Sequence, residues 1–220
     1  PDGRHIAFLA PRNKVLNVWV APVGAIGQAS PVTDERTRPV QQFFWSPDSA
    51  QILLLKDEGG TENFRLFGMP LSGGAARSYT PFEKTQVSIL RISPAVKDAI
   101  LIGMNRRDPQ WSDAWRLDLR SGKLSEVWRN PGGYASIFAD RKLRPIVAQK
   151  SLPDGGGRID RIESDGGTRT LLEFGLVDAQ TAILGTRDAD TAFLVSSIGR
   201  DKSELVALDL RTGRLRSMAR

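Results

Sequence analysis

FFWSPDSAQILLLKDEGG, residues 43–60, sets an aromatic cluster and Ser-Pro-Asp directly before an unbroken apolar run, Ile52 to Leu55. The chain opens on a shorter version of the same phrase, PDGRHIAFLAP. Asp2 and Asp48 stand 46 positions apart, and Pro47 and the Pro94 of ISPAVKDAILIG stand 47 apart. Two weaker echoes follow, ADRKLRPIVAQ from Ala139 and TRDADTAFLVSS from Thr186, each a polar turn leading into a short apolar run. Five copies at nearly even spacing make this a repeat architecture.

Inside each copy the order is constant: the turn, an apolar strand, a polar connection, a second alternating strand, a Gly-containing turn and a short last strand. The second copy runs AQILLLKD, EGGTEN, FRLFGMPL, SGGA, ARSYT; the third runs AILIGM, NRRDPQWSD, AWRLDL, RSGK, LSEVW; the fifth runs AFLVSS, IGRDKSE, LVALDL, RTGR, LRSM. Period-two alternation broken by Gly, Asn and Asp turns is the signal of hairpins. A further strand precedes each phrase: VQQFFW, VSILRI, YASIF and TAILG.

Four strands per unit of about 45 residues describe a β-propeller blade, with the quoted phrase as the turn between first and second strands. Pro47 fixes its φ, Asp48 accepts backbone amides two residues on, and Ser49, which is Gly3 in the first copy, takes the turn conformation. The expected fold is all-β: one propeller domain over residues 1–220, with about five four-stranded blades at approximately 1–33, 40–80, 87–129, 134–174 and 181–218. The first copy lacks its innermost strand, so an incomplete arc of a larger propeller is expected, with the natural start missing. SLPDGGGR, from Ser151, is Gly-rich but falls where the other copies join second to third strand, and reads as a hairpin loop rather than a boundary.

Composition narrows the functional classes. The 220 residues are enough to bury roughly 70% of the unfolded surface. With no cysteine, disulfides, thiolate metal sites and cysteine nucleophiles are excluded. No apolar run approaches the roughly 20 residues of a membrane-spanning helix, so no membrane partner is expected. The formal net charge is +6, but the basic residues are scattered and the closest clusters, NRRDP and DRKLR, each contain an aspartate, so nucleic acid is not expected either. The carboxylates form no dense ligand loop; no metal and no cofactor is expected. Composition leaves the compartment open between cytoplasm and periplasm.

The sole histidine, His5, borders an apolar strand and reads as a packing or surface residue. A five-bladed glycosidase would need two carboxylates on the channel-lining strands, and the four innermost strands carry no Asp or Glu. Trp19, Trp45, Trp115 and Trp128 fall in predicted strands and are expected in the core; Trp111, in RRDPQWSD, is expected on an exposed loop. Connections between second and third strands emerge on one face of a propeller. That face collects Asp57, Glu58, Glu62, Asn63, Arg106, Arg107 and Asp108, which are the candidates for substrate or domain contact, and also Arg158, Arg200 and Asp201.

SPDSAQILLLKDEGGTENFRLF, YTPFEKTQV, ILIGMNRRDPQWSDAWRLDLRSGKL and LVALDLRTGRLR resemble the propeller of prolyl oligopeptidase family serine peptidases, in the bacterial acylaminoacyl-peptidase and dipeptidyl-peptidase branch. The resemblance runs from Pro1 to about Arg216 and is weakest over residues 135–174. It implies a non-catalytic propeller that admits short peptides to a Ser, Asp and His triad on an α/β-hydrolase domain of the same parent chain. That domain lies outside these residues: no Gly-x-Ser-x-Gly nucleophile elbow occurs, so no residue here is assigned a catalytic role. Two further repeats and the hydrolase are expected downstream. The alternative is a stand-alone or periplasmic interaction propeller of the translocation-associated kind, with no enzyme; the extended DEGGTEN and NRRDP segments favour the peptidase.

Overall fold

The computed structural model describes residues 1–57, 60 and 63–219. The first sheet has three strands, β1 (His5–Arg12), β2 (Val15–Pro22) and β3 (Ser30–Pro31). Four four-stranded sheets follow: β4 (Gln42–Trp45), β5 (Gln51–Lys56), β6 (Arg65–Pro70) and β7 (Arg77–Ser78); β8 (Val87–Arg91), β9 (Ala99–Asp108), β10 (Trp111–Asp118) and β11 (Leu124–Trp128); β12 (Tyr134–Ala139), β13 (Pro145–Ser151), β14 (Gly157–Ile162) and β15 (Thr168–Phe174); β16 (Ala182–Thr186), β17 (Thr191–Ser196), β18 (Glu204–Asp209) and β19 (Leu215–Ala219). Each sheet is an antiparallel meander in chain order, and β12 packs against both β8 and β16. This is a β-propeller arc of five blades.

The apolar run in β5 has a direct cause. Neighbouring side chains of a strand point to opposite faces, and both faces of this blade are covered. Ile52 and Leu54 pack with Val18 and Val20 of the first blade, while Leu53 and Leu55 pack with Ile100, Ile102 and Met104 of the third. All four side chains are buried, each contributing about 1.5–3 kcal/mol by transfer from water. The core is therefore a series of blade-to-blade layers. Ala114, Trp128 and Ile137 join the third blade to the fourth, and Val147 and Ile159 meet Leu194 and Leu208 between fourth and fifth.

The turn before β5 closes through its own side chains. The Ser46 hydroxyl donates to Asp48, Asp48 Oδ1 accepts the Ala50 amide at 3.1 Å, and Ser46 Oγ accepts the Gln51 amide at 3.1 Å. Ser49 sits at φ 62°, the left-handed conformation that Gly3 takes at φ 76° in the first blade. A serine holds it because Asp48 and Ser46 tie the backbone on both sides.

Tryptophan packing follows expectation in part. Trp128 is buried at the third blade junction, and Trp45 and Trp115 pack against core clusters. Trp19 is half-buried and donates Nε1–H to the Ala10 carbonyl at 3.1 Å. Trp111 differs: it is half-buried in β10, paired with Asp108, rather than exposed on a loop. The segment expected as a long polar loop is instead a strand extension with Pro109 and Gln110 alone at its tip. Asn105 is the reason. Its Oδ1 accepts the Gln86 amide at 2.7 Å and its Nδ2 donates to the Pro109 carbonyl at 3.0 Å, which holds the polar end of β9 in register.

Candidate functional site

Because strand direction alternates identically in every blade, connections from second to third strand and links from one blade to the next emerge on one face, here termed the hairpin face. First-to-second and third-to-fourth turns emerge on the other, the turn face. The described candidates, Asp57, Asn63, Arg106, Arg107 and Asp108, lie on the hairpin face, in or next to two clefts at successive blade junctions.

The first cleft, of about 420 Å³, opens between first and second blades and is lined by Glu35, Arg38, Val40, Leu55, Asp57 and Phe64, among others. Asp57 is ion-paired with Arg38 at 3.2 Å, and Lys56 with Glu35 at 2.5 Å. The link before β4 thus supplies one partner of each pair and β5 or its end the other. Asn63 is half-buried beside Phe64, whose ring packs on the core of the second and third blades. Glu58 and Glu62 lie outside the described residues.

The second cleft, of about 520 Å³, opens between second and third blades beside the β9–β10 hairpin and includes Phe82, Glu83, Lys84, Asn105, Arg106 and Arg107 in its lining. The two adjacent arginines do different things. Arg107 makes a two-pronged bond to Asp113, with Nε to Oδ2 at 3.0 Å and Nη2 to Oδ1 at 2.8 Å, and a third to the Asn130 carbonyl at 2.9 Å. That bond to Asp113 pushes the Arg107 guanidinium above its ordinary pKa. Arg106 instead lies over the Phe82 ring, 4.1 Å from its centroid. Asp108 accepts the Gln110 amide at 2.9 Å and shapes the hairpin tip. Of the other hairpin-face residues, Arg200 pairs with Glu204 at 3.0 Å and Arg158 with Asp160 at 2.9 Å.

Sequence reasoning did not find the buried polar seam that runs from Arg107 of the second cleft into the junction of third and fourth blades. Asp113 Oδ1 accepts the Asn130 amide at 2.8 Å; Asn130 Nδ2 donates to the Tyr134 carbonyl at 2.8 Å; and the Tyr134 hydroxyl donates to Asp160 Oδ2, the oxygen that also accepts Arg158. Asp160 Oδ1 is buried without a hydrogen-bond partner. Burial, then the bond to Asp160, raise the Tyr134 pKa above its ordinary value. The available signal was an acid at a core-facing strand position, as in GRIDRI and WSDAW, since buried carboxylates need partners. Among the described residues no three His, Asp or Glu side chains gather as metal ligands would. Chemically, the hairpin face offers ion-paired charges and the ring-stacked Arg106 beside apolar walls.

No family model matches the chain. Dipeptidyl aminopeptidase BIII of Pseudoxanthomonas mexicana is 36% identical over 216 residues, which are 97% of this chain and 31% of that protein. The chain belongs to the prolyl oligopeptidase family, as a propeller segment. It spans about a third of the length of that curated relative. A solved prolyl endopeptidase superposes on this family propeller with a TM-score of 0.69 at 16% identity, over 99% of this chain and 33% of that one. TolB from Acinetobacter baumannii superposes with a TM-score of 0.55 at 14% identity, over 98% of this chain and 51% of that one. These two likenesses are likenesses of fold, and a fold alone does not choose a function.

Proposed function

We propose that the chain is the non-catalytic, substrate-gating propeller part of a serine peptidase that hydrolyses short peptides, with the catalytic α/β-hydrolase domain elsewhere in the same parent polypeptide. The observation that carries this reading is the 36% identity to a dipeptidyl aminopeptidase sustained over 97% of the chain. The hairpin face, with Asp57, Glu58, Glu62, Asn63, Arg106, Arg107 and Asp108, is the surface that meets substrate or the hydrolase domain. Its variation from blade to blade supports that choice, because connecting segments on a rigid scaffold are where binding groups concentrate. Within that surface Arg107 acts chiefly through structure, since Asp113 and Asn130 take its Nε and Nη2 donors.

The likeness to TolB keeps a second reading in view, an interaction propeller without an enzyme. The two readings part on the parent reading frame. The peptidase reading expects a strand-turn-helix segment with Gly-x-Ser-x-Gly downstream, then Asp and His. The parent should cleave aminoacyl- and dipeptidyl-nitroanilides, and the 220-residue chain alone should cleave neither and take no fluorophosphonate label. A downstream frame without the nucleophile elbow, or stoichiometric labelling of the chain itself, overturns it.

A further inference from the structure

We propose that the cleft between second and third blades is a carboxylate-binding subsite, with Arg106 as its principal ligand and Lys84 as its second cation. This rests on the reading of the hairpin face as substrate-facing and names what one part of it takes. The cleft has a volume of about 520 Å³. Arg106 and Lys84 are exposed, and neither has a hydrogen-bonding or ion-pairing partner among the described residues. Neighbouring cations contrast with them: Arg38 is matched to Asp57, Lys56 to Glu35, and Arg107 to Asp113.

Arg106 is nonetheless ordered in position. Its guanidinium lies on the Phe82 ring at 4.1 Å from the centroid, a stacking that leaves the N–H edge free. A planar fork held this way matches a carboxylate two-pronged and loses less freedom on binding than a solvated lysine. The strand that carries it is fixed by the Asn105 bonds to Gln86 and Pro109. Lys84 sits on the opposing link at φ 51°, a left-handed conformation uncommon for a residue with a Cβ. Strain of this kind persists where surrounding structure enforces it, and it gathers at ligand sites. The buried Thr85 supplies part of the enforcement by donating to the Glu83 carbonyl at 3.1 Å. Glu83 is the acid in the lining beside these cations, so the incoming group must be an anion able to engage Arg106 away from it.

In a peptide, the carboxylate has two sources, the C-terminus or an acidic side chain. The test uses the 220-residue chain and three acetylated tetrapeptides: a neutral one with a free C-terminus, its C-terminal amide, and an amide carrying one glutamate. Binding is followed by NMR shifts and by calorimetry at two salt concentrations. Either carboxylate-bearing peptide should bind, more weakly at high salt, and which one binds identifies the source. Arg106→Gln should weaken that binding at least ten-fold. Arg106→Lys and Phe82→Leu, which keep the charge but remove the fork or the stack, should each weaken it by less. Equal melting temperatures of wild type and the two Arg106 variants exclude loss of fold as the cause; Phe82 also packs on the core of second and third blades, so Phe82→Leu is compared at a temperature well below its own melt. Binding of the neutral amide as tightly as the others, no binding of either carboxylate, or an Arg106→Gln affinity equal to wild type overturns the subsite. The peptidase reading fails separately: a chain with an Arg106-dependent carboxylate site whose parent frame lacks a hydrolase retains the subsite and loses the peptidase.

Discussion

The turn face and the hairpin face are built from the same strands, yet they differ in how regularly they repeat from blade to blade. On the turn face one device recurs. Asp2, Asp48, Asp140 and Asp188 each accept the backbone amide two residues on, at 2.9–3.1 Å. Asp118 and Asp209 do the same in the matching LDLRSG and LDLRTG turns, with Gly122 and Gly213 at φ 78° and 75°. Neighbouring blades then bond into these turns: Lys97 to the Pro47 carbonyl, Ser93 to Arg141, Arg77 to Arg120 and Arg161 to Leu210. On the hairpin face the same aspartate device occurs at Asp108 and Asp154, but the connections that carry it differ in length and shape from blade to blade. The first blade turns through Asn13 and Lys14 at φ 53° and 68°, and the third extends a long hairpin whose tip is Pro109 and Gln110. Repetition marks what every blade needs in order to stack, and variation marks what differs in what the blades meet.

The largest effect should come from the layer beneath both faces, which sets the scale for either. Leu53→Ala empties a fully buried position between second and third blades and should cost about 2–5 kcal/mol in a denaturant melt. A loss under half of that would mean the blades are not packed as layers. Next comes the seam under the hairpin face. Tyr134→Phe removes a donor from Asp160, whose other oxygen is already unpartnered, and should cost roughly 1–3 kcal/mol. The Tyr134 pKa is raised, so its contribution is complete below the ordinary tyrosine value and lost as pH rises through the shifted one. The difference between wild type and Tyr134→Phe should therefore shrink in the alkaline range above about pH 10. An unchanged difference there would detach Tyr134 from the seam.

How far each face was legible follows from the same contrast. The blade turns could be read because Ser-Pro-Asp and Leu-Asp-Leu-Arg-x-Gly are local: the residues that make the bonds are within a few positions of one another. Inner strands, the meander order and the packing of Trp128 came with them. The strand extension in the third blade was missed because its determinant, Asn105 bonding to Gln86, reaches across to the link before β8. Arg106 and Arg107 look equivalent in sequence and are separated only by tertiary contacts, Phe82 for one and Asp113 with Asn130 for the other. The seam from Asp113 to Asp160 joins residues 47 positions apart, and an acid at a core-facing strand position was its only local trace.

A matched pair of substitutions sharpens the comparison at smaller amplitude. Asp48→Ala removes an acceptor that both Ser46 and Ala50 use and should cost on the order of 1 kcal/mol. Asp108→Ala, at the hairpin tip, removes a bond to Gln110 and should stay within about 0.5 kcal/mol, as for an ordinary surface change. Equal losses at the two positions would erase the distinction between a structural turn face and a variable hairpin face.

The smallest effect expected is on the acid limb of stability, and it can be read on the turn face. Backbone N–H donors, Ser121 for Asp118 and Arg211 for Asp209, hold both carboxyls below their ordinary pKa, assisted by side-chain bonding and by the nearby arginines. A depressed folded pKa means the unfolded chain takes up the proton first, so the stabilisation is present above the unfolded value and is lost as pH falls through the folded one. The affected window lies below about pH 4. Asp118→Asn with Asp209→Asn keeps an acceptor oxygen in each turn while removing the titration. Near pH 7 the double variant should melt close to wild type, and between about pH 4 and pH 2 its melting temperature should fall less steeply. Parallel acid limbs would show that the turns are held by backbone geometry, chiefly the left-handed glycines, and that their carboxylates contribute as acceptors without contributing as charges.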